Sequence, residues 1–283
     1  MRALLLAIAS LFLAAPVAAS TYTEVEKTCP VGGEKFKFNE LMSISTFGMM
    51  PDGMPIGSGY FPIELPQCPG NGLVMYEEFD AAKVAQLAHI ITRPDYRAML
   101  TAETRYYIAY RLAKELGETD SSSWLLLSAT WEAKNAGNAE QARRYNEEFV
   151  AHVATIAADT KSFESIAIRA RAANALRELG RFDEAAAMRA AIVIAPDAGG
   201  SGGAANREGW SGFVAQLAAP IARHDATRAP IDMAGTREAA FRCIEKELAP
   251  ERDVAPLSAF ETGYCARPEI AAEVAKIRKT RGN

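Results

Sequence analysis

The spacing of apolar and polar positions changes near residue 80. Over 21–80, short alternating runs such as Lys35-Phe36-Lys37-Phe38 and Tyr60-Phe61-Pro62-Ile63 are broken by glycine and proline. They predict short strands and turns in a small β-containing module. From Ala81 onward the apolar positions recur at helical steps. Asp80 is placed to cap a helix through Val84, Leu87, Ala88 and Ile91, which Pro94 ends. A second helix, after Thr101, aligns Ala102, Tyr106, Ala109, Ala113 and Leu116 on one stripe and stops at Gly117. Further helices are predicted over 123–136, 139–157, 164–179 and 182–194, with connections short enough for antiparallel neighbours. Gly199-Gly200-Ser201-Gly202-Gly203 is too glycine-rich for a helix and predicts a flexible linker over 198–206. Helices over 211–223, 236–248 and 268–279 follow.

The first twenty residues have a different pattern. Arg2 precedes an apolar run over 3–15, and Val17-Ala18-Ala19 sets small residues before Ser20, as in a cleavable export signal. The expected organisation is a signal over 1–19, a β and loop module over 20–80, a helical domain over 81–197, the linker, and a helical segment over 207–283. No later run reaches the roughly 18 apolar residues of a membrane-spanning helix. Export to a periplasm or beyond changes the reading of the 4 cysteines, because oxidising compartments favour disulfides. Four cysteines allow three connectivities. The local one, Cys29 with Cys68 and Cys243 with Cys265, brackets one compact region at each end of the chain.

Composition excludes some classes. Lys+Arg number 31 against 35 Asp+Glu, and the net charge of -4 argues against a nucleic-acid binder. Hydrophobic residues at 49% and charged residues at 23% of the 283 are globular values, so a packed core is within reach.

The stretch from Ala173 to Ala185 resembles the middle of a tetratricopeptide repeat, with Gly180 at the turn, Phe182 two residues later and Ala185 at the close-packing position. Pro196 stands one residue early for the closing proline. Gly137 and Ala142 repeat the turn and the small position, with Ala139 in place of the aromatic, and the spacing to Gly180 exceeds the usual repeat of about 34 residues. The resemblance implies irregular helical hairpins that bury one face by stacking on neighbours. An ordinary helical bundle is the alternative reading of the same helices.

Cys29-Pro30-Val31-Gly32-Gly33 and Cys68-Pro69-Gly70-Asn71-Gly72 resemble zinc knuckles of the form C-P-x-C-G. Two such knuckles before tetratricopeptide-like helices are similar to an uncharacterised bacterial family of unknown function. Gly32 and Asn71 stand where the second cysteines would be, and two thiolates do not close a four-ligand zinc site. Opposed knuckles would leave Cys29 beside Cys68, so the resemblance implies a metal clip exchanged for a disulfide.

Catalytic templates match poorly. Gly199 to Gly203 satisfies G-x-S-x-G, which with His224 downstream raises a serine hydrolase using Ser201 and His224, but no alternation of strands and helices precedes it to build the sheet such an elbow needs. P-loop, zinc-protease and dinucleotide motifs are absent, and no cofactor is expected. His89, His152 and His224 are far apart, each in a predicted helix. Tyr106, Tyr110, Trp124, Trp131 and Tyr145 either fill the core or line a groove for a partner segment. The expectation is a mainly α exported protein that binds or scaffolds another envelope protein. A self-associating structural role is a further alternative.

Overall fold

The computed structural model describes residues 20–281. The expected export signal, residues 1–19, lies outside the described residues. The chain is mainly α with a small N-terminal β module. β1 (Thr21–Thr28) and β2 (Lys35–Ser43) form an antiparallel hairpin in which Phe36 and Phe38 turn to the half-buried face. Lys35 and Lys37 on the open face pair across the strands with Glu26 at 2.7 Å and Glu24 at 2.6 Å. β3 (Thr46–Met49) and β4 (Pro55–Gly57) make a second antiparallel pair, closed by the turn over Pro51, Asp52 and Gly53. Residues 60–63, expected as a strand, are irregular instead, because their carbonyls bond to helix side chains.

The helices begin where the capping residues place them. Asp80 caps α1 (Ala81–Ile90) by accepting from the Lys83 N–H at 2.8 Å. Pro94 does more than end that helix: it opens α2 (Pro94–Ala102), where its missing N–H and fixed φ suit a first turn. Thr104 caps α3 (Arg105–Glu115), so Ala102 belongs to the helix before it. Then come α4 (Thr119–Asn135), α5 (Ala139–Thr155), α6 (Phe163–Glu178) and α7 (Phe182–Ala190). Gly117, Gly137 and Gly180 follow α3, α4 and α6 with φ of 80°, 71° and 73°. The residue after each donates back to the carbonyl five positions earlier, the Schellman closure that a left-handed residue permits.

Consecutive helices from α3 to α7 pack on one another, with α6 buried almost all round because Ala170, Ala172 and Ala173 let its neighbours approach closely. A core including Tyr110, Leu126, Phe149, Ile168 and Leu176 fills this stack. A second cluster joins Cys29, Cys68, Leu73 and Val74 to Leu87, Tyr96 and Ile108 of α1 to α3. A third, near the C-terminus, gathers Ile231, Ala239, Ala240, Ile270 and Val274.

The run expected as a flexible linker over 198–206 is ordered. Gly200–Gly203 forms a 3-10 turn that leads into α8 (Ala204–Gln216), seven residues ahead of the predicted start. Ala198 and Gly203 are buried, the Phe163 ring occupies the space a side chain at Gly199 would need, and Arg207 Nη1 donates to the carbonyls of Ala198 at 2.6 Å and Gly200 at 3.1 Å. Tertiary contacts override the local flexibility of glycine. α9 (Ala218–Ala222) follows, and His224, expected inside a helix, lies beyond it at φ 57°.

The predicted helix over 236–248 breaks at Ile244 into α10 (Thr236–Cys243) and α11 (Glu245–Leu248). α12 (Ala259–Cys265) was not foreseen, although Ser258 and Glu261 form its capping box. α13 (Pro268–Arg281) closes the described chain. Cys29 with Cys68 and Cys243 with Cys265 are at bonding distance, each pair with Cα atoms 5.7 Å apart.

Candidate functional site

The part of the β module between Met50 and Leu65 lies against the helices, and helix side chains hold it largely by its backbone. At the β3–β4 turn, Trp131 Nε1 donates to the Asp52 carbonyl at 3.2 Å, and Arg171 Nη1 to the Pro51 carbonyl at 2.8 Å. Gly53 at φ 91° lets the chain pass the Arg171 side chain, since an added Cβ would stand 2.7 Å from Arg171 Nε. Further along, Asn135 Nδ2 donates to Phe61 O at 2.6 Å, the Tyr106 hydroxyl to Ile63 O at 2.6 Å, and Arg105 Nη1 to Leu65 O at 3.1 Å. Every second carbonyl is taken, the period of an extended chain.

Asp52 is 2% exposed and its carboxylate anchors a buried polar network. Oδ1 accepts from the Met54 N–H at 3.0 Å, while Oδ2 meets Lys134 Nζ at 3.0 Å and Arg228 Nε at 3.3 Å. Lys134 also meets Glu178 Oε2 at 2.7 Å. Asn174 donates to Glu178 Oε1 at 2.8 Å and accepts from Arg177, whose Nη1 reaches the carbonyls of Asp225 and Thr227 at 2.6 and 2.7 Å. The network thus ties the turn to α4, α6 and the loop after α9. Burial would raise the Asp52 carboxyl, but Lys134 and Arg228 outweigh it and hold it below its ordinary value. Burial pushes the Arg171 guanidinium down to about 10, against the pull of Asp52. Its planar face is covered by Phe213 and Trp210 of α8, at 4.4 and 5.1 Å from the ring centres.

The five aromatic residues of the expected groove do not share one surface. Tyr106 and Trp131 touch the held segment. Tyr110 and Tyr145 are wholly buried, a correction to the groove reading, because their stripe of α3 and α5 faces the core. Tyr145 stacks on Tyr107 at 4.4 Å and donates to Glu103 at 2.6 Å; burial, then that carboxylate, raises its pKa. Trp124 Nε1 donates to Glu164 at 3.0 Å.

Ser201 sits in the 3-10 turn, preceded by turn residues rather than a strand, so the nucleophile elbow is not built. The His224 ring stacks on Phe182 at 4.6 Å and 4°, and among the described residues no hydrogen bond joins it to Ser201. The serine–histidine contacts that do form were missed by sequence reasoning: Ser122 and Ser123 Oγ lie 3.2 and 3.1 Å from His152 Nε2. Both serines are buried, and burial, then Lys114, lowers the His152 pKa. Nothing local relates these residues, 30 and 29 positions apart, so only the packing of α4 on α5 reveals them.

The two cysteine turns repeat one geometry. Cys29 N–H donates to Glu34 O at 2.8 Å and Gly33 N–H to Cys29 O at 3.1 Å; Cys68 N–H donates to Leu73 O and Gly72 N–H to Cys68 O, both at 2.9 Å. Asn71 joins the turns by donating to Val31 O at 2.7 Å and accepts from the Leu73 N–H at 2.9 Å. Among the described residues no group of three or more His, Cys, Asp or Glu is placed to hold a metal ion, and no helix is long and apolar enough to cross a membrane.

An apolar groove of about 610 Å³ lies between the β3–β4 hairpin and the C-terminal helices, with Phe47, Met49 and Ile56 facing Met233, Phe241 and Leu248. Phe47 is 62% and Met49 56% exposed. Comparison with family models, with curated proteins and with solved structures finds no match for this chain.

Proposed function

We propose that this is an exported, non-catalytic protein that binds or scaffolds another protein of the cell envelope. The observation that carries the reading is the grip of Asn135, Tyr106 and Arg105 on alternate carbonyls of residues 61–65. Such contacts recognise extended polypeptide largely independent of its side chains. In this reading the helical hairpins, similar to tetratricopeptide units, are a polypeptide-holding surface whose resident occupant is the chain's own N-terminal segment. Two cysteine pairs at bonding distance are compatible with an oxidising compartment, and the signal-like start favours the periplasm. The matched cysteine turns support descent from a pair of zinc knuckles. The partner in this reading is an extended apolar segment of an envelope protein beside β3, all of whose residues are exposed, with Phe47 and Met49 at its contact.

Photoreactive residues at Phe47 and at the exposed Ala98 of α2 test this in intact cells. A discrete envelope-protein adduct from position 47, mapped to an extended apolar segment and missing from position 98, is expected. Equal or no adducts at the two positions overturn the reading, as does labelling of Ser201 by a fluorophosphonate probe, which would favour the hydrolase.

A further inference from the structure

Beside the Asp52 network, a cavity of about 420 Å³ opens between the α4–α5 turn, the end of α6 and the loop after α9. Its size falls within the range of small-molecule sites. Asn146 of α5 lines it and is only 5% exposed, yet its side-chain amide has no hydrogen-bond partner among the described residues. Arg169 Nε and Arg223 Nε are enclosed without a hydrogen-bond partner among the described residues, whereas the Asn146 amide opens on the cavity, where its donors and acceptor are available to an occupant; the other buried amide, Asn174, is satisfied within the protein by Arg177 and Glu178.

The charges on the walls are already matched. Lys134 lies between Asp52 and Glu178, Arg228 meets Asp52, and Arg143 pairs with Glu147 at 2.6 Å. An anion finds no uncompensated cation here, and a cation no uncompensated carboxylate. What is left is one neutral group that donates and accepts, bordered by the small apolar side chains of Ala139, Ala142 and Ala226. No aromatic ring lines the cavity to carry the face of a sugar. We infer that this cavity binds a peptide amide next to a small aliphatic side chain, with Asn146 accepting from its N–H and donating to its carbonyl. Asn71 already makes this pair of bonds to peptide groups of the chain itself. The inference goes beyond the binding role above and uses a different surface.

The probe is N-acetyl-L-alanine methylamide, titrated into the full chain with its disulfides intact and followed through the side-chain NH2 resonances of Asn146. Saturable binding is expected with a Kd on the order of 1 mM, as suits so small a ligand. Asn146→Leu should weaken it at least about tenfold, since one buried hydrogen-bonding partner is removed. If that variant does not fold, Ala226→Trp, at an exposed loop position that closes the cavity mouth, decides in its place. No saturation, undiminished binding by the deciding variant, or tighter binding of acetate, inorganic phosphate or methyl glucoside overturns the assignment. None of these results alters the hold of α3 and α4 on residues 61–65.

Discussion

Trp131 Nε1 of α4 donates to the carbonyl oxygen of Asp52, 3.2 Å away in space and 79 positions away in the chain. The bond joins the β3–β4 turn to the middle of the helical stack, and the Asp52 carboxylate extends the junction to Lys134 and Arg228. The N-terminal module is therefore integrated into the fold of the helices through a buried turn.

Asp52→Asn should destabilise the protein by about 3 kcal/mol, because it strips a buried carboxylate from two cations and leaves one positive charge in excess. Adding Arg228→Gln restores the balance with Lys134 still on Glu178, so urea unfolding of the double variant should show less than the summed loss. Strict additivity would mean that the two charges do not act together.

Gly53→Ala should cost more than Gly117→Ala. Both glycines have positive φ, 91° and 80°, and the left-handed backbone alone costs an alanine about 1–2 kcal/mol. At Gly53 the new Cβ would also meet Arg171, whereas at Gly117 nothing lies within 4 Å. Urea midpoints of the two variants compare the costs directly.

Acid should weaken the fold in two windows. The His152 pKa is depressed, so the unfolded chain binds the proton more readily; the stability His152 contributes is complete above its ordinary 6.5 and is lost as pH falls through the folded-state value. Asp52 is also held below its ordinary 3.8, and its contribution is lost as pH falls further through its own folded-state value. Stability measured against pH should show the first loss vanish in His152→Gln and the second in Asp52→Asn.

Replacing both Cys243 and Cys265 with alanine should loosen the C-terminal cluster by about 3 kcal/mol, since the bridge closes a loop with a sequence separation of 22. Ile231, Ala239 and Ile270 form a core of their own, so amide exchange should quicken there while α4 to α6 keep their protection. Non-reducing peptide mapping of the parent protein should recover Cys29 linked to Cys68 and Cys243 linked to Cys265.

Helix starts and stops were legible wherever the local chemistry is decisive: Asp80 as a cap, and Gly117 and Gly137 as left-handed ends. Pro94 was read only as a terminator because the pattern of α2 is short, and its role as a first residue shows only once the helix behind it is seen. The glycine run at 199–203 misled because its order comes from Phe163 and Arg207. The aromatic set divided into core and contact residues because helical spacing fixes a stripe but not what faces it. Asp52 was not singled out, since Pro-Asp-Gly reads as any surface turn until Trp131, Lys134 and Arg171 close over it.

The bond between Cys29 and Cys68 brackets the gripped segment and leads on to α1. Tension applied at the amino end therefore has a covalent route across sulfur from one turn to the other and on into α1, a route that bypasses the chain between the two cysteines.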